Sequence, residues 1–311
     1  GVPIGGCSTA ARPAGDDGKL GTLGCAGIDG AFLRDVARPD GTRDVNYTGA
    51  LADRFTCMAH VGTFGCGFES SLGAMRRALE PGHNPGFLRP DAALGIVIQT
   101  DEDDCSATDP TFFGDPNATA ASPLGPRTSF RCHEFGVQCD DDPEPRAFGV
   151  FTGCRSREDS PFLPPVASYV RFLNALKSTP GQVAVTAMFG AVDAARTVEI
   201  GPDFNEPTWS AVHTYCASSN GVAYPGFRLA HFIDAIGGTS RTICRDAFDE
   251  TMAAFASRIH TALGVPCFEG AVHDADPAAP GIQAQCTVGE TTVAPGDSHL
   301  LPACADGLGG A

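Results

Sequence analysis

The chain has no two cysteines at CxxC spacing, although it carries 13 cysteines in 311 residues, spread from Cys7 to Cys304. That absence argues against zinc knuckles, and so high a count points to disulfides made in an oxidising compartment. The close spacings Cys57 to Cys66, Cys132 to Cys139 and Cys244 to Cys267 suggest loop-closing bridges. An odd count leaves at least one thiol without an internal partner. No run of eighteen apolar residues occurs, so a transmembrane helix is not expected. Gly1-Val2-Pro3-Ile4 does not read as a signal peptide, so the chain is expected to be processed or excerpted. Basic residues are scarce, with 21 Lys and Arg against 37 Asp and Glu and a formal charge of −16. Phosphate backbones need a basic surface, so nucleic acid is excluded as a partner.

Catalytic signatures are missing as well. His133-Glu134 lacks the second histidine that a metalloprotease helix carries at i+4, and reads as a surface pair between Cys132 and Cys139. There is no Gly-x-Ser-x-Gly elbow and no Walker A loop, and Gly65-x-Gly67 lacks the third glycine of a dinucleotide fingerprint. The scattered histidines and Arg76-Arg77 read as ordinary helix-face residues. The chain is read as non-catalytic.

What is present is an apolar run, Ala92 to Gln99, that breaks into Asp101-Glu102-Asp103-Asp104-Cys105-Ser106. A continuous apolar run bounded by turn signals suits a strand covered on both faces, as in a parallel α/β sheet. Ligands in such sheets sit beyond the carboxyl ends of the strands. Hard divalent cations, Mg²⁺ or Ca²⁺, prefer carboxylate and hydroxyl oxygens, which makes Asp101, Glu102, Asp103, Asp104 and Ser106 candidate ligands.

Residues 1–50 are rich in Gly, Asp and Pro and read as a disulfide-pinned segment. Helical periodicity follows at Leu51, Phe55 and Met58, and again at Leu72, Met75 and Leu79. After the strand, residues 105–164 read as an insertion ordered by disulfides rather than by a core of its own. A helix over 166–176, a buried strand over 183–189, a second insertion over 191–226, a helix ending at Gly237-Gly238, a strand at 239–244 and an amphipathic helix over 248–263 complete the pattern. Alternating strands and helices imply a mostly parallel sheet with right-handed crossovers and helices on both faces. Residues 266–311, with three more cysteines, read as a tail.

The segment Thr63-Phe64-Gly65-Cys66-Gly67-Phe68-Glu69, then Phe87-Leu88-Arg89-Pro90-Asp91 leading into the strand and its acids, and the Gly237-Gly238 helix end resemble the von Willebrand factor A-like fold, in a cysteine-rich, secreted bacterial form. The resemblance covers residues 51–265, interrupted by both insertions. It implies an adhesion or binding module, secreted, periplasmic or at the cell surface, whose protein or surface ligand completes the coordination of a divalent cation. Asp101 matches the family's acid after its fourth strand, and Glu69 with Ser70 stands near its threonine. The family's Asp-x-Ser-x-Ser motif has no match here, and the resemblance places it, with the first strand, before Gly1. Two other readings stay open: a secreted hydrolase using Glu69 with Asp101 or Asp103 as acid and base, and a purely structural surface protein.

Overall fold

The computed structural model describes residues 16–38, 40–61, 67–90, 92–141, 144, 146–177, 182–213, 216–219, 221–245, 247–262, 289–291 and 298–300. The chain divides into two units, Gly1–Val265 and Pro266–Ala311. In the first, β1 (Asp35–Ala37) and β2 (Arg43–Val45) form a hairpin, followed by α1 (Leu51–Ala59), α2 (Ser71–Leu79) and β3 (Leu94–Gln99). The first insertion holds α3 (Phe130–Gly136), β4 (Val137–Gln138), β5 (Gly149–Phe151) and β6 (Arg155–Ser156). Then come α4 (Val166–Ala175), β7 (Val183–Phe189), β8 (Val198–Pro202), β9 (Ser210–Val212), β10 (Cys216–Ser218) and β11 (Gly221–Ala223). The unit closes with α5 (Phe227–Ile236), β12 (Thr239–Thr242) and α6 (Asp249–Ala262). In the second unit the described residues form one antiparallel hairpin of β13 (Gly289–Thr291) and β14 (Ser298–Leu300).

A parallel sheet of order β12-β7-β3 carries the core. β7 is central, and its alternate residues Val185, Ala187 and Phe189 pack with Leu72 and Leu79 of α2, Val166, Tyr169 and Leu173 of α4, and Leu229, Phe232 and Ile233 of α5. On the other face Gly95 lies against Ile259 of α6, so helices cover both faces. The apolar spacing read from the sequence thus produces the sheet and the helices that flank it. β3 is outermost. Leu94 N–H reaches Gln182 O at 2.7 Å and Thr100 N–H reaches Met188 O at 3.1 Å, so even-numbered residues bond β7. Backbone groups of Gly95, Val97 and Gln99 then point to the free edge, which pairs with nothing among the described residues. Val97 itself is 44% exposed.

The first insertion corrects the sequence reading, because it has an apolar core. Phe112 and Phe113 pack edge-to-face with Phe68 and Phe135 beside Cys105, Cys132 and Leu163. A second, antiparallel sheet of order β9-β8-β5 joins the two insertions, its core built from Phe151, Val198, Ile200 and Phe227. Strands this short leave almost no periodicity to read. The disulfides also differ from the close spacings: the bridges are Cys25–Cys57, Cys105–Cys132, Cys139–Cys154 and Cys216–Cys244. Cys132 lies within α3 and Cys139 just after β4, and each pairs with a residue that packing brings alongside. The remaining cysteines, Cys7, Cys66, Cys267, Cys286 and Cys304, lie outside the described residues. Four bridges fit an oxidising compartment. No helix among the described residues is long and apolar enough to cross a membrane.

One close approach fixes the end of β7. Gly190 lies so near the segment after β11 that a Cβ there would stand 1.9 Å from Tyr224 O. Gly190→Ala should therefore force the two segments apart and cost about 2 kcal/mol, as overpacking does. Thermal melting measures it, and an unchanged melting temperature would show that the contact is not held.

Candidate functional site

The acid loop leaves the carboxyl end of β3, and its members divide into two sets. Asp103 accepts the N–H groups of Arg228 at 3.0 Å and Leu229 at 3.2 Å in the first turn of α5, whose N-cap Gly226 has no side chain to cap it. Asp104 accepts Leu72 N–H at 2.9 Å, and Ser106 Oγ accepts Gly73 N–H at 2.7 Å. Those donors open α2, whose cap residue Ser70 makes no cap bond of its own. Two helix N-termini thus converge on carboxylates, where dipole and orphan donors both favour negative charge. Asp104 also pairs with Arg228 at 3.2 Å, both side chains fully buried. Pro164 O accepts a further bond from that guanidinium at 2.9 Å. The Arg228 guanidinium thus compensates the Asp104 charge.

Glu69, Asp101 and Glu102 form the other set. Their backbones are fixed: Cys105 N–H donates to Glu69 O at 2.6 Å, and Tyr224 N–H donates to Asp101 O at 2.8 Å. Their carboxylates have neither a hydrogen bond nor an ion pair among the described residues. Burial first, and then the charge of Asp101, raises Glu69 above the ordinary range. Burial, with Glu69 and Asp101 beside it, pushes Glu102 up to about 7. Asp103 rises to about 6 through burial, with the N–H groups of α5 pulling the other way.

Behind Glu102 and Asp103 is a cavity of 120 Å³, also lined by His133, Asp203 and Tyr224. Burial pushes His133 down to about 4, leaving a neutral imidazole at pH 7, with its ring packed near Phe130 and Phe227. The surface reading of His133-Glu134 is therefore corrected. Glu134 is 9% exposed and bonds Arg146 at 2.9 Å.

No family model, curated protein or solved structure matches the chain.

Among the described residues, no three His, Cys, Asp or Glu side chains converge closely enough to cage a metal. The residues singled out from the sequence, Glu69, Asp101, Glu102, Asp103, Asp104 and Ser106, do gather at one end of the sheet. Asp103, Asp104 and Ser106 are occupied by helix N-termini and Arg228, which leaves Glu69, Asp101 and Glu102. Thr63 to Cys66 lie outside the described residues. Sequence reasoning missed Arg228, His133 and Tyr224. One signal was legible for Arg228: a helix opening Gly226-Phe227-Arg228 with no Ser, Thr, Asp or Asn to cap it needs an acceptor from elsewhere.

Proposed function

We propose that the chain is an extracytoplasmic binding module of the von Willebrand factor A-like kind, non-catalytic, whose protein or surface ligand docks at the carboxyl edge of the β12-β7-β3 sheet with a divalent cation between them. The carrying observation is the group of three carboxylates, Glu69, Asp101 and Glu102, that repel one another at a sheet end without a cationic partner among the described residues. Such a group fits Mg²⁺ or Ca²⁺ held by one or two carboxylates with several waters retained, better than a closed cage. A cation there would offset the mutual repulsion and offer its remaining positions to an acidic group on the partner. Asp103, Asp104 and Ser106 serve as the frame.

The test is thermal or urea unfolding with Mg²⁺, Ca²⁺ or EDTA. A cation about 100-fold above its Kd should stabilise by about 3 kcal/mol, and Glu69→Gln with Asp101→Asn should remove the effect. An identical response to EDTA in the wild type and the double variant would sink the reading.

A second reading, a hydrolase with a carboxyl acid, is favoured by Glu102. Its proton is held to about 7 at the wall of a cavity shared with neutral His133, which is the range a general acid uses near neutral pH. Turnover that survives EDTA would be the outcome that moves the assignment there.

A further inference from the structure

On another part of the first unit, sharing no lining residue with the acid site, is a cleft of 660 Å³. That is the size of a small-molecule site rather than of a single ion. Its lining carries both signs of charge, from Arg155, Arg196, Glu158, Asp159 and Asp234, with His231 beside them.

Not all of these charges are available. Glu158 caps α4, accepting Val166 N–H at 3.1 Å and Ala167 N–H at 3.2 Å, and also takes Ser156 Oγ–H at 2.9 Å. Its charge is committed to the scaffold, and it anchors His231 Nδ1 at 3.4 Å. Arg155 uses a single nitrogen, Nη1, for both Asp140 at 2.5 Å and Gly153 O at 3.1 Å, which leaves Nε and Nη2 for a ligand. Arg196 forms an ion pair with Asp234 at 3.7 Å, beyond hydrogen-bonding distance, so its side-chain N–H donors keep no hydrogen-bonded partner among the described residues. Asp159 makes no hydrogen bond or ion pair among the described residues, and the Asp234 side chain is 70% exposed.

The backbone that presents Arg196 is unusual. Its φ is +52°, in the left-handed region that a residue with a Cβ seldom adopts. The turn is clamped from both sides: Arg196 N–H donates to Asp193 O at 3.0 Å, Thr197 N–H to Asp193 Oδ1 at 2.7 Å, and Cys154 N–H to Arg196 O at 3.0 Å. Cys154 is itself bridged to Cys139. The scaffold thus holds a strained residue whose side chain lines the cleft. Strain of this kind persists only where the surroundings over-determine it.

We propose that this cleft binds a small zwitterion bearing a carboxylate and an ammonium, of the size of a short peptide. The open guanidinium forks of Arg155 and Arg196 match a carboxylate, which they can bond in pairs. Asp159 and Asp234 match the ammonium. A plain anion would meet those two acids in a protein of charge −16, and a plain cation would meet the two guanidiniums.

The test is calorimetric titration of the full chain with alanylalanine, its N-acetyl form and its C-terminal amide. The free dipeptide should bind, and each blocked form should bind about tenfold more weakly or worse, the scale of one lost charge-assisted contact. Arg196→Asn, which keeps a residue suited to the left-handed backbone, should weaken the dipeptide by a similar factor, and so should the exposed change Asp234→Asn. Circular dichroism establishes that both variants are folded. The proposal is overturned if the dipeptide does not bind, if the N-acetyl form binds as well as the free one, or if folded Arg196→Asn binds like wild type.

Discussion

Asp104→Ala should destabilise the protein by about 3–5 kcal/mol, the cost of leaving a fully buried partner charge uncompensated. Arg228 would remain at 0% side-chain exposure without its carboxylate, keeping only Pro164 O and Ser156 Oγ as acceptors. Leu72 N–H would lose its acceptor at the start of α2, and Ser106 Oγ would lose its own. All these losses fall at one point, where α2, α5 and the acid loop meet. Denaturant unfolding measures the sum. Asp104→Leu combined with Arg228→Met should recover much of the loss, because an apolar pair removes both charges together. If the single variant lost less than about 1 kcal/mol, the buried pair would not be the staple described above.

Glu102→Gln should act in the opposite direction and make the protein more stable at pH 8. In the folded chain Glu102 sits near 7 rather than its ordinary 4.5, mainly through burial and then through Glu69 and Asp101. Between those two values the folded state keeps a proton that the unfolded state releases. Wild-type stability therefore falls as pH rises from about 4.5 to about 7 and levels off above. At about 1.4 kcal/mol per pH unit, the shift amounts to about 3 kcal/mol of lost stability at pH 8. Asp103, raised from 3.8 to about 6, contributes with the same sign at the lower end of the window. Glu102→Gln should remove the larger part of the slope, as read from urea midpoints at pH 5 and pH 8. Parallel pH profiles for the two proteins would contradict it.

The parallel sheet was legible because its signals are local. Val183 to Phe189 is a seven-residue strand, and the helices over Val166–Ala175 and Phe227–Ile236 show their buried faces as periodic apolar positions. The antiparallel sheet was not, since β5 and β9 have three residues each and pair with β8 across a gap in sequence. The acid cluster at the end of β3 was legible in the sequence, and the hydrogen-bond partners of its members were not. Asp103, Asp104 and Ser106 are oxygen donors of the kind a metal needs, yet they are also what an uncapped helix needs. Which use prevails depends on where the N–H groups of Leu72, Gly73, Arg228 and Leu229 come to lie. Those donors stand 32 to 126 residues away along the chain, so no local pattern says which acid meets which helix.

The free edge of β3 ties colloidal behaviour to the same carboxylates. Gly95, Val97 and Gln99 offer backbone groups that no described residue pairs, on an apolar strand that is a template on which another strand can form. The formal charge of −16 is what opposes a second copy, and it acts over a Debye length of about 8 Å in physiological salt. Asp101 and Glu102 follow the strand after Thr100, so they contribute repulsion near where an approaching edge would meet it. Salt or a bound cation that quiets these acids also lowers the electrostatic barrier to edge pairing. Charge neutralisation at the acids and resistance to edge pairing are therefore set against each other by one short stretch of chain.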